Sequence, residues 1–186
     1  MTYDRQALLD RIKTDALQFG EFTLASGQKS TYYIDCRKVT LSSVGAALIA
    51  AGILEHLGET PFEAVGGMSL GADPIVGAIL TLAGQQGREL RGFLVRKEPK
   101  SHGTSKLVEG PLYPGDRVVI VEDVATTGGS SLKAIEAVEK ENCEVIKVMV
   151  VLDRLAGAQA AFENRGYPFT PLFTIADLGI EQNTSG

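Results

Sequence analysis

The chain lacks most of the patterns that announce common chemistries. Its only cysteines are Cys36 and Cys143, with neither a CxxC pair nor metal-ligand spacing. They read as reduced thiols rather than as a disulfide framework. There is no GxxxxGK(S/T) loop and no GxGxxG after a strand, which argues against P-loop and Rossmann nucleotide sites. HExxH and GxSxG are also missing, and no Cys–His pair has local support as a nucleophilic site. No apolar run reaches membrane-spanning length; the longest helical candidate, 46–57, is broken by Gly52 and Glu55. The opening Met1-Thr2-Tyr3-Asp4-Arg5 has no signal-peptide pattern. A net charge of −5 disfavours a general nucleic-acid binder. The expectation is a cytoplasmic protein with no membrane and no nucleic-acid partner.

What is present suits one globular domain. The 186 residues are 44% apolar and 22% charged, with 21 glycines marking many tight turns. A chain of this size buries about 70% of its unfolded surface. Helical spacing of Leu8, Leu9, Ile12 and Leu17 predicts a helix over 4–19, stopped by Gly20. A hairpin follows, with strands at 22–24 and 31–34 around a Ser26-Gly27 turn. Further strands are expected at 62–68, 90–96, 118–121, 145–152 and 173–178. Helices are expected at 43–57, 74–83, 130–142 and 156–164. Apolar strands alternating with helices imply an α/β fold with a mainly parallel sheet covered on both faces. Ligands gather at the carboxyl ends of such strands.

One stretch organises the rest. Arg117-Val118-Val119-Ile120-Val121 is a buried strand by composition, Glu122 and Asp123 follow, and Val124-Ala125-Thr126-Thr127-Gly128-Gly129-Ser130 leads into a helix. A helix N-terminus presents unsatisfied N–H groups and positive potential, a natural phosphate site. Paired acids beside it suggest a hydroxylated sugar, a metal, or both. The plain alternative is a βα turn with solvated acids and a Ser N-cap.

Two more features carry charge. The segment 88–106 holds six Lys/Arg (Arg88, Arg91, Arg96, Lys97, Lys100, Lys106) against two acids, Glu89 and Glu98. Around His102 and Gly103 it has little apolar patterning, so it reads either as a solvated loop or as a lid bringing cations onto a polyanion. Arg154 follows a strand in Leu152-Asp153-Arg154. It can fork onto a carboxylate ligand or pair with Asp153. Tyr32 and Tyr33 alternate on their strand, so at most one packs inward.

These residues resemble a known family. The stretch from Val118 to Ser130 looks like the PRPP-binding signature of type I phosphoribosyltransferases. Phe19-Gly20-Glu21-Phe22-Thr23-Leu24, Ser26-Gly27, Tyr32-Tyr33-Ile34-Asp35, Arg96-Lys97-Glu98-Pro99-Lys100-Ser101-His102-Gly103 and Leu152-Asp153-Arg154 are similar to the orotate phosphoribosyltransferases within that class. The resemblance covers nearly the whole chain. It implies the type I phosphoribosyltransferase fold as one domain over 1–186, with a small N-terminal hood from 1–40 and a long flexible lid at 96–110. It implies transfer of the phosphoribosyl group of PRPP to orotate, giving orotidine monophosphate and pyrophosphate in pyrimidine synthesis. Mg²⁺ would be bound mainly through PRPP oxygens, with no metal held directly by the protein.

By the same resemblance Glu122 and Asp123 hold the ribose, and Val124, Ala125, Thr126, Thr127, Gly128, Gly129 and Ser130 complete the PRPP loop. Arg96, Lys100 and His102 contact pyrophosphate, as does Lys97 from the neighbouring subunit of a homodimer. Lys97, Lys100, His102 and Asp123 form the catalytic set. Tyr33, Ile34, Thr126 and Arg154 bind orotate. Some members carry a Lys where this chain has Ala25 and another in the loop that here reads Ser69-Leu70-Gly71-Ala72. Alternatives in view are a purine or other phosphoribosyltransferase, and a PRPP- or nucleotide-sensing regulator that contacts RNA.

Overall fold

A computed structural model of the chain describes residues 2–23, 29–98 and 106–180. Lys100, His102 and the Ser26-Gly27 turn lie outside them.

The first helix, α1 (Arg5–Arg11), begins where the Asp4 carboxylate accepts the Ala7 N–H at 2.9 Å. A π-type turn over Ile12–Ala16 ends the helical run. The expected helix to residue 19 stops there because Leu17 already pairs with Ile34. Strand β1 (Leu17–Thr23) and strand β2 (Lys29–Ile34) form a separate antiparallel ribbon, longer than the predicted hairpin. Cross-strand partners override the helical spacing of the apolar residues here. A short helix α2 (Arg37–Thr40), unforeseen in the sequence, leads to α3 (Ser43–Leu57). Ser42 caps α3 by accepting the Gly45 N–H at 3.1 Å.

The main sheet has six strands in the order β5-β4-β3-β6-β7-β8. They are β3 (Ala64–Met68), β4 (Arg91–Val95), β5 (Val108–Glu109), β6 (Arg117–Ala125), β7 (Glu144–Asp153) and β8 (Phe169–Thr174). All neighbours are parallel except β4 and β5. Helices α4 (Asp73–Gln85), α5 (Gly129–Lys140) and α6 (Ala158–Glu163) make the crossovers. From β3 the chain crosses to β4 on one side, and from β6 to β7 on the other. The switch point, where an open α/β sheet forms a ligand crevice, therefore lies between β3 and β6.

Two expectations shift at the edges. The last strand is 169–174 rather than 173–178, and 175–178 is a 3₁₀ turn. Pro171 sits within it, as an edge strand allows. The expected lid at 96–110 is not all loop, since Val108 pairs with Val95 and Glu109 with Leu94.

Alternation along β6 divides the core. Val119 and Val121 pack with α3 and α4, whereas Val118 and Ile120 pack with α5 and α6. Both faces of a parallel sheet are thus dry, as its apolar strands require. Both cysteines are buried and free, and burial pushes the Cys36 thiol well up, so it stays protonated and inert.

Candidate active site

Strand β6 runs four residues beyond the predicted end at 121, so the acid pair lies within its last turn of pleat rather than after it. Successive side chains therefore leave the sheet on opposite faces. Glu122 goes toward α5, where it accepts a hydrogen bond from the Ser131 hydroxyl. Burial pushes its carboxyl up to about 7, against the pull of the Ser131 and Ser130 hydrogen bonds. Asp123 goes toward the β3–α4 loop. Its Oδ1 accepts the Val124 N–H at 2.9 Å, and burial raises its carboxyl as well. At Gly71 in that loop, a Cβ would come within 2.6 Å of Asp123 Oδ1. Only glycine lets this backbone approach the carboxylate so closely. Ser69 in the same loop donates to Asp73 at 2.9 Å, fixing the start of α4.

The loop after β6 turns on Gly128, which has φ +79°. A Cβ there would meet the Phe162 ring at 2.9 Å, so glycine is needed twice over. Among the described residues no side chain caps α5, and Thr126, Thr127, Gly129 and Ser130 are exposed around its first turn. Open N–H groups and the helix dipole make this end receptive to an anion.

A cavity of about 280 Å³ joins these parts. It is lined by the acid pair and Ser130, by Ile34, Asp35 and Arg37 between the end of β2 and the start of α2, by Ser69 to Gly71, and by Lys97. Lys97 thus lines the cavity of its own chain. Arg96 does not line it; its guanidinium faces Glu109 at 3.5 Å.

Arg154 sits beside the same loop. Its N–H donates to the Ala125 carbonyl at 2.9 Å, and its guanidinium lies over the Tyr32 ring, 5.1 Å from the centroid. The pairing with Asp153 considered from sequence does not form. Asp153 is buried and accepts the Leu155 N–H at 2.9 Å. Among the described residues no carboxylate pairs with Arg154. Tyr32 is the inward tyrosine of its pair, and Tyr33 is exposed next to Phe22.

The basic island divides. Arg91 is locked onto Asp116 by two bonds of 2.7 Å, and Arg88 lies over Phe62. Both stand at the amino end of β4, away from the cavity. Of the described cations in this stretch, Arg96 and Lys97 follow the carboxyl end of β4.

Sequence reasoning overlooked Arg37, the bond from Ser131 and the seat that Tyr32 gives Arg154, and it left the role of Gly71 open. Ser131 could have been found as the next residue of a helix whose first turn faces the acids. Arg37 follows Tyr-Tyr-Ile-Asp by two residues, but nothing in that spacing marks it.

The phosphoribosyl transferase domain model matches residues 71–163, which hold the β6–α5 loop and both acids. An orotate phosphoribosyltransferase of Rhodopirellula baltica is 52% identical over 184 residues, covering 96% of this chain and 95% of the relative. The chain belongs to the orotate phosphoribosyltransferase family. A crystal structure of the orotate phosphoribosyltransferase of Mycobacterium tuberculosis superposes with a TM-score of 0.85 at 39% identity, covering 95% of this chain and 99% of that one. A second structure of that enzyme, in complex with PRPP, gives 0.81 at 36% identity, with 95% and 99% covered. The type I phosphoribosyltransferase fold expected from the sequence is therefore correct, and the orotate phosphoribosyltransferases are pentosyltransferases. Among the described residues no helix is long and apolar enough to cross a membrane.

Proposed function

We propose that this chain transfers the phosphoribosyl group of PRPP to orotate, releasing pyrophosphate and forming orotidine monophosphate for pyrimidine synthesis in the cytoplasm. The observation that carries the reading is a juxtaposition. The uncapped α5 N-terminus, fit for a phosphate, lies one loop away from Arg154, which has no carboxylate partner among the described residues.

The residues then divide the work. Backbone N–H groups of the Ala125 to Ser130 loop hold the 5′-phosphate. Asp123 and Glu122 accept the ribose hydroxyls. As pyrophosphate departs, positive charge grows on the ribose, and the two carboxylates offset it. Lys97 neutralises charge on the leaving group. Lys100 and His102 join it by family pattern, and Arg96 joins on release from Glu109. Arg154 forks onto the orotate carboxylate, held flat by Tyr32. Thr126 and the backbone of Tyr33 and Ile34 take the pyrimidine edge. No covalent nucleophile is needed.

The residues also fit Mg²⁺. Among the described residues no three His, Cys, Asp or Glu side chains converge into a protein-only metal cluster. Hard carboxylate oxygens from Asp123 and Glu122 nonetheless line the cavity, which suits a cation bound mostly through substrate oxygens. When bound, Mg²⁺ supplies charge neutralisation on the diphosphate.

A homodimer belongs to the same proposal. Leu41 and Leu70, 72% and 70% exposed near the cavity, give it an apolar face. Mixing Lys97→Ala with Asp123→Ala subunits recovers activity if Lys97 serves the neighbouring site, and stays inactive if it serves its own. The activity itself is tested by following orotate absorbance with PRPP and Mg²⁺. The signal should fall as product forms, and a folded protein that leaves it unchanged contradicts the proposal.

A further inference from the structure

The cavity is short of positive charge for a ligand rich in phosphate. Among its described lining residues Asp35, Glu122 and Asp123 are acids, and only Arg37 and Lys97 are cations. Arg37 has so far been given no role. Its Nε and Nη2 bond the Asp35 carboxylate at 2.8 and 3.3 Å, and its backbone N–H bonds the same group at 3.2 Å. Asp35 is thereby held below the usual carboxylate range. The Nη1 amine has no hydrogen-bond partner among the described residues. The guanidinium thus stands fixed on one edge and open on the other, at the start of α2. Arg37 lines the same cavity as Gly71, which contributes no side chain to it. A plane already oriented loses little freedom on taking an oxyanion, and its two free N–H groups match phosphate oxygens.

We propose that Arg37 is a binding residue for the diphosphate of the substrate, sharing the leaving group with Lys97, the other cation among the described lining residues. Asp35 is its positioning residue. The inference rests on the activity proposed above and adds a ligand contact to it. The bland alternative is that the Asp35–Arg37 pair only fixes the start of α2. The two differ in what pyrophosphate sees.

The test is calorimetric binding of inorganic pyrophosphate with Mg²⁺, alongside steady-state kinetics, on the full chain. Arg37→Ala should weaken pyrophosphate binding by at least about tenfold and raise KM for PRPP in step, which is about 1.4 kcal/mol. KM for orotate should stay within about twofold, and Arg37→Lys should recover part of the loss. Asp35→Asn keeps the cation and should cost clearly less than Arg37→Ala. The role of Arg37 is overturned if pyrophosphate binds Arg37→Ala as tightly as wild type. It is equally overturned if Asp35→Asn and Arg37→Ala weaken binding alike. Should Arg37→Ala fail to fold, Arg37→Gln carries the same comparison. Wild-type protein that binds no pyrophosphate and consumes no orotate contradicts the proposed activity instead, so the two failures are distinguishable.

Discussion

Two arginines at the amino end of the main sheet, Arg91 and Arg117, are held differently from two at its carboxyl end, Arg154 and Arg37. At the amino end Arg91 is closed onto Asp116 by two bonds, and Arg117 is closed onto Glu63 through its guanidinium at 2.6 and 3.2 Å and its N–H at 2.8 Å. Asp116 is buried and also accepts the Tyr113 N–H at 2.8 Å. Arg91 and Arg117 thus each have a matching carboxylate within the protein. At the carboxyl end Arg154 lies on an aromatic ring with no carboxylate partner among the described residues, and Arg37 is half engaged. Charges matched within the chain hold strands in register. Charges left unmatched around a cavity are available to a ligand, which supplies the missing partners.

The comparison is broken most severely at Arg154. Arg154→Ala should lower kcat/KM for orotate by about 10²-fold or more, as expected for losing a charge-assisted fork. Thermal unfolding should change little, because the side chain has no ion pair to lose among the described residues. Next in size is Gly71→Ala. Its methyl would stand 2.6 Å from Asp123 Oδ1, so either the loop or the carboxylate must move. Turnover should drop by about 10-fold or more through displacement of a group near the reacting ribose. A variant of unchanged activity would place Asp123 outside the working site.

The amino end should respond in the opposite sense. Asp116→Ala leaves Arg91 unpaired and the Tyr113 N–H without its acceptor, costing about 1–3 kcal/mol in urea unfolding. Its kcat/KM should remain near wild type under conditions where it is folded.

The smallest effect concerns Glu122. Its carboxyl is raised by burial from 4.5 to about 7, so the native state binds this proton more tightly than the unfolded chain. Stability from this group is therefore highest below about pH 4.5 and is lost as pH rises toward 7. Glu122→Gln, which stays neutral, should be the more stable protein above pH 7, by on the order of 1–3 kcal/mol. Its stability should vary less than that of wild type between pH 4.5 and 7, measured by urea unfolding at each pH.

Much of this site was legible in the sequence because its chemistry is contiguous. Strand, acids, small loop and helix follow one another from Arg117 to Ser131, so local composition suffices to read them. The opposite directions of Glu122 and Asp123 were harder to see, since they depend on β6 continuing to Ala125 rather than ending at 121. The start of β1 at Leu17 came from pairing with Ile34, a partner 17 residues away that helical spacing does not register. The basic island misled in part. Six cations in one stretch look like one patch, yet β4 carries Arg91 to one end of the sheet and Arg96 to the other. Arg37 gave no local signal and the role of Gly71 stayed open, because their meaning lies in a cavity assembled from four separate segments: 34–37, 68–71, Lys97, and 122–124 with Ser130.

The central claim is that the unpaired Arg154 awaits a carboxylated pyrimidine. The most direct measurement compares orotate with uracil, which lacks the carboxylate, as acceptor of the phosphoribosyl group from PRPP, in wild type and in Arg154→Ala. Wild type should prefer orotate by about 10²-fold or more, and the substitution should remove most of that preference. Equal use of the two acceptors by wild type, or a preference that survives Arg154→Ala, would contradict the claim.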